Sequence, residues 1–178
     1  MYEEILDFWF EEIESSYWWK KDEAFDQLIR ERFSSVHKQA LSCELSFWRK
    51  TARGRLAEVI VLDQFSRNMF RDLPGAFASD SLALALAQEA VAQGCDRELA
   101  PNEVSFLYMP YMHSESALIH EQAVSLFERS GNDSTLRFEM RHKEIIDKFG
   151  RYPHRNTILG RESTNEELAF LAKPGSSF

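Results

Sequence analysis

The stretch Arg53–Arg71, RGRLAEVIVLDQFSRNMFR, constrains this chain more than any other. It reads as one long helix in two halves. The first half is apolar on nearly every side, through Leu56, Ala57, Val59, Ile60, Val61 and Leu62. A helix of that kind has to be wrapped by other elements. The second half keeps an apolar strip of Leu62, Phe65 and Met69 and adds a polar one. At roughly 100° per residue, Asp63, Gln64, Arg67, Asn68 and Arg71 fall in one broad sector. Asp63 with Arg67, and Gln64 with Asn68, are pairs four residues apart. A central helix therefore carries a charged, amide-rich strip beside its most buried part. Such a strip is either a buried polar network or one wall of a pocket.

The rest of the chain supplies the wrapping. Ile5, Leu6, Trp9 and Ile13 have helical spacing in a first helix over 2–12. Asp22 is placed to cap a second helix, in which Phe25, Leu28, Ile29, Phe33, Val36 and Ala40 trace an apolar stripe to about Ser42. Thr51 can cap the central helix. Leu73-Pro74-Gly75 is a turn. Ser79 is expected to cap an alanine-rich helix that stops at Gly94. Pro101 opens the next helix, which Pro110 should end or kink. Ser116 starts another, closed near Gly131. Ser134 or Thr135 begins one that runs to Phe149, with Gly150 as its cap. Arg151–Arg161 reads as a polar loop. Thr164 to Glu167 is a capping box for a last short helix.

That makes about eight helices, and no alternating run long enough for a strand. The fold class is all-α, with antiparallel neighbours joined by short links. A single helical domain over 1–172 and a loose tail over 173–178 are expected. With 178 residues, 44% of them hydrophobic and 14 Phe among them, there is enough chain for a packed core.

Charge limits the partners. The formal charge is −8, which disfavours general nucleic-acid binding. It is also uneven. Residues 1–31 hold ten Asp/Glu against three Lys/Arg, while 137–161 hold seven Lys/Arg against three Asp/Glu. The basic end faces either the acidic end or an anion. Cys43 and Cys95 lack paired spacing and fit a reducing compartment. No basic-then-apolar leader opens the chain, and no apolar run approaches about 18 residues. Neither a signal peptide nor a membrane span is expected, and the location expected is cytoplasmic.

Few residues stand out as carriers of chemistry. His37 sits off the apolar stripe of its helix and reads as surface. His142 shares a face with Phe138, Ile145 and Phe149 and reads as a satisfied core histidine. His113 and Glu115 lie at a helix junction, where side chains and free backbone N–H groups can turn toward a cleft. The segment 149–156, FGRYPHRN, gathers Arg151, His154, Arg155 and Asn156 around a Gly and a Pro. Arginine forks suit carboxylate or phosphate. The alternative is that these arginines pair with the acidic N-terminal third. No helix carries two histidines at metal-ligand spacing, and there is no Gly-rich phosphate loop or nucleophile elbow, so no metal and no cofactor is expected.

At several of these motifs the chain resembles a bacterial family known as domain of unknown function 924. The stretches that carry the resemblance are LDFWF (6–10), WWKKDEAFD (18–26), ARGRLAEVIVLDQFSRNMFRD (52–72), FLYMPYMHSES (106–116) and FGRYPHRNTILGRESTNEE (149–167). Where members often show LDQFPRN, this chain has Ser66, a minor change on the helix. The resemblance implies an all-helical, tetratricopeptide-repeat-like fold of stacked helix pairs. It implies no activity and no catalytic residues.

Three functional readings follow. The first is a protein that binds a small anion or an acidic peptide end through Asp63, Gln64, Arg67, Asn68, His113, Glu115, Arg151, His154, Arg155 and Asn156. The second is a hydrolytic, metal-assisted enzyme built on the same cluster, with Glu115 or Asp63 as base. The third is a scaffold that meets a partner through aromatics such as Trp18 and Trp19.

Overall fold

The computed structural model describes residues 2–176. Its helices are α1 (Tyr2–Asp7), α2 (Glu23–Leu41), α3 (Ala52–Ile60), α4 (Ser66–Met69), α5 (Asp80–Ala92), α6 (Pro101–Met112), α7 (Ala117–Ser130), α8 (Asp133–Phe149) and α9 (Asn165–Leu171). A π-helical turn, Val61–Phe65, joins α3 to α4 without leaving helical dihedral angles. These two helices and the turn form one rod over 52–69. The described residues therefore make eight rods and contain no strand. A second π turn, Phe8–Glu12, extends α1.

The rod over 52–69 is the centre of the core. Leu56, Ala57, Val59, Ile60, Val61, Leu62 and Phe65 are all fully buried. α1, α5 and α6 pack against α3, and α2 packs against the π turn and α4. An aromatic cluster of Phe8, Trp9, Phe25, Phe33 and Phe65 fills the space between α1, α2 and the π turn. α6, α7 and α8 then pack each against the next.

The start of the rod depends on a close approach. Thr51 Oγ1 accepts from Gly54 N at 3.0 Å and caps the helix. A Cβ on Gly54 would lie 2.0 Å from the Trp48 carbonyl oxygen, so only glycine allows the preceding turn to sit on the helix. Asp22 caps α2 through Phe25 N, and Thr164 with Glu167 forms the expected reciprocal box.

Elsewhere the caps differ from expectation. α8 is capped by Asn132, which accepts from Ser134 N and Thr135 N, rather than by Ser134 or Thr135 themselves. Ser116 makes no side-chain cap. Pro110 does not end α6; it sits in the last turn of a helix that runs to Met112. Ser79 makes no side-chain cap either. Its hydroxyl is buried, donates to Leu62 O at 2.6 Å and contacts Ser66 Oγ at 2.8 Å.

Ser66 Oγ also meets His37 Nε2 at 2.8 Å, and His37 is only 3% exposed. His37 is thus a buried residue and not a surface one, because the polar side of α2 meets the rod's polar strip. The exchange of proline for Ser66 matters for the same reason. A proline there has no hydroxyl to bridge His37 and Ser79.

The segment 151–161 is not an open polar loop. Gly150, at φ 67°, turns the chain out of α8 in a left-handed conformation that suits glycine. Tyr152, Pro153, Arg155 and Asn156 are then buried. Near the C-terminus, Ser176 is 8% exposed and its hydroxyl donates to Leu171 O. The last two residues of the expected loose tail lie outside the described residues.

Candidate functional site

The rod, the start of α5, the end of α6 and the folded-back segment after α8 meet at one place. Asp63, on the π turn, is 1% exposed. It accepts from Gln64 Nε2 at 2.6 Å, lies 2.9 Å from Arg67 Nη1 and contacts His113 Nδ1 at 2.8 Å. Burial raises its pKa, but Arg67, His113 and the Gln64 amide outweigh that and hold the carboxyl well below the usual carboxylate range.

Asp80, the first residue of α5, joins the two arginines. Its oxygens accept from Arg67 Nη1 at 2.9 Å, Arg67 Nη2 at 3.0 Å and Arg155 Nη1 at 3.1 Å. Two cations share one carboxylate, although their positions in the chain are 88 apart. Arg155 Nη2 also donates to the His113 carbonyl at 3.0 Å. Its guanidinium lies between two rings, 4.5 Å from the Phe77 centroid and 4.6 Å from that of Tyr152. Only 7% of its side chain is exposed, and its buried Nε has no hydrogen-bond partner among the described residues. Burial, with Arg67 next, lowers its pKa.

Above this cluster opens a cleft of about 280 Å³, lined among others by Phe77, Asp80, His113, Glu115, Arg155 and Leu159. Glu115 is fixed there by Arg161, with contacts of 2.7 and 2.9 Å, and by Tyr152 N at 2.7 Å. Behind it, Tyr152 is fully buried and packs against His120, His142 and His154. His120 is likewise fully buried, with Nδ1 2.6 Å from Glu139 Oε1 and Nε2 2.8 Å from Ser114 O. Facing a carbonyl, Nε2 must carry a hydrogen. The Glu139 contact then needs one further proton on either group. Burial raises the Glu139 carboxyl accordingly.

The structure divides the ten residues singled out from the sequence. Asp63, Arg67, His113, Glu115 and Arg155 surround or line the cleft, with Gln64 behind Asp63. The other four have different partners. Asn68 donates to Asp26, which also binds Arg71. Arg151 binds Glu167 and the Glu162 carbonyl. Asn156, fully buried, donates to Ser163 and accepts from Arg161. His154 packs on the Tyr152 ring. Arg151, Arg155 and Arg161 pair with Glu167, Asp80 and Glu115 rather than with the acidic N-terminal third.

Asp80, Phe77, Tyr152 and Arg161 were not singled out from the sequence. An acidic residue in the first turn of α5 is an ordinary helix-dipole feature. Nothing local marks Asp80 as a shared counter-ion. Among the described residues no three His, Cys, Asp or Glu side chains gather as a metal ion would need, and no helix is long and apolar enough to cross a membrane. Of the aromatics weighed as a partner surface, Trp18 is tied down by Trp9 and Phe106, whereas Trp19 is 65% exposed.

These contacts define an all-α protein with a polar cleft where its central rod meets the segment after α8. A family profile described as "Bacterial protein of unknown function (DUF924)" matches residues 5–175, and the chain belongs to that family. It is similar to the solved structure of a protein of unknown function, ATU0120 from Agrobacterium tumefaciens. The two share 36% identity with a TM-score of 0.91 over 96% of each chain. Among curated proteins, none matches this chain.

Proposed function

We propose that this protein binds a small anionic ligand, a carboxylate or phosphate group, in the cleft beside Arg155. The observation that carries this reading is the state of the Arg155 guanidinium. It is buried, its faces are covered by Phe77 and Tyr152, and only two of the five N–H donors an arginine has are engaged. A buried donor without a partner costs on the order of 1–3 kcal/mol, more when charged. Arg155 lines the cleft, so an oxyanion there can accept charge-assisted hydrogen bonds from the Nη hydrogens not given to Asp80 or the His113 carbonyl. Arg67 stands behind as a second positive charge, joined to Arg155 through Asp80. The acidic overall charge is no obstacle at this range, since screening confines such interactions to about 10 Å.

The successive packing of α5 through α8 supports the tetratricopeptide-repeat-like stacking that the resemblance implies. The free thiols of Cys43 and Cys95 support a cytoplasmic location.

Thermal melting against sulfate, with chloride at matched ionic strength, tests the binding reading. Sulfate at about a hundred times its dissociation constant should add about 2.7 kcal/mol to wild-type stability. The Arg155→Ala protein should respond to the two salts alike. An equal response of wild type to both salts would remove the reading.

A further inference from the structure

Anion binding by Arg155 alone would treat all small oxyanions alike. The Asp63–His113 contact adds a discrimination. Ionised carboxylates only accept hydrogen bonds, so the 2.8 Å contact puts the imidazole hydrogen on His113 Nδ1. Burial, and then Arg67, lowers the pKa of His113 against the pull of Asp63 and so favours the neutral ring. A neutral imidazole with its hydrogen on Nδ1 has a bare lone pair on Nε2. Among the described residues the hydrogen bond of the His113 ring is the one from Nδ1 to Asp63, and His113 lines the cleft. Asp80 and Glu115, also on the cleft, are already held by Arg67, Arg155 and Arg161. The cleft thus brings together a cationic donor at Arg155 and an acceptor nitrogen at His113.

We propose that the ligand of this cleft is a hydrogen-bearing oxyanion, an inorganic phosphate or a phosphate monoester, whose charge Arg155 holds and whose O–H donates to His113 Nε2. The proposal rests on the anion-binding reading above. An oxyanion without hydrogen, such as sulfate, sets lone pairs against the Nε2 lone pair and loses that bond. One buried polar group left unpaired is enough for strong discrimination between otherwise similar ligands.

Titration calorimetry at pH 6 with inorganic phosphate, methyl phosphate, sulfate and dimethyl phosphate tests it. At that pH inorganic phosphate carries an O–H, about half of the methyl phosphate does, and the last two carry none. Wild type should bind phosphate about tenfold more tightly than sulfate, a difference of about 1.4 kcal/mol. His113→Phe should keep sulfate binding and lose the preference. Methyl phosphate within about twofold of phosphate, the difference its half-protonation at pH 6 allows, would assign the site to esters, and much weaker binding would assign it to the free ion; dimethyl phosphate should follow sulfate in either case. Equal affinity of wild type for phosphate and sulfate, or a preference that survives in His113→Phe, would overturn the proposal while leaving anion binding intact. Failure of all four to bind would remove both readings.

A measurement on wild type alone guards against misfolding of the variant. The His113 Nε2 nitrogen resonance should move on saturation with phosphate and stay in place with sulfate. Equal movement with both would contradict the proposal.

Discussion

Acidification from pH 7 to pH 5 is expected to remove on the order of 4 kcal/mol of stability, through two histidines behind the cleft. Burial lowers the pKa of His142 to about 3 and of His154 to about 4, from an ordinary value of 6.5. Both are neutral in the folded protein across this range. The unfolded chain takes up their protons as the pH falls through 6.5, and the folded chain does not. The unfolded state therefore binds more protons between about pH 6.5 and 4, and stability falls there. His37 and His113, also lowered by burial, act in the same direction. Glu139, raised by burial, acts against it. Since a whole domain has only about 5–15 kcal/mol to lose, the effect should be plain in urea melts at the two pH values. His142→Gln should show a smaller loss than wild type. Equal stability of wild type at pH 7 and pH 5 would mean that these rings are not buried neutral.

Ile60→Ala is expected to cost about 2–5 kcal/mol. Ile60 has no exposed surface and lies on α3, against which α1, α5 and α6 pack. Removing its outer carbons leaves a cavity that packed neighbours on several sides cannot fill by relaxing. A urea melt showing a loss under about 0.5 kcal/mol would contradict the wrapped rod.

The rod, the caps at Asp22, Thr51 and Thr164, and the all-α class were readable because each depends on residues close together in the chain. A helix apolar all round has to be central, and Ile60 is. The polar strip was readable only in part. A uniform 100° wheel gathers Asp63, Gln64, Arg67, Asn68 and Arg71 in one sector. The π turn over Val61–Phe65 interrupts that regular winding, and the strip divides. Asp63 and Arg67 meet His113 and Asp80, while Asn68 and Arg71 meet Asp26.

His113 and Arg155 were visible as unusual residues at a junction and in a Gly-Pro segment. Their meeting with Asp63 and Asp80 was not, because those contacts span 50 and 75 positions and no local pattern encodes them. Arg151 and Asn156 show the converse. Their local text matches that of Arg155, yet each is occupied by a neighbour within the same C-terminal segment.

The most direct test of the account is the Nε–H resonance of Arg155, followed by nitrogen–proton correlation during a phosphate titration at constant ionic strength. An anion bound to the guanidinium changes the charge around it and so the proton shift of its Nε–H. A saturable movement of the Arg155 signal is expected with phosphate and none with chloride. An Arg155 signal that ignores phosphate, or drifts equally with both salts, would contradict an anion site in this cleft.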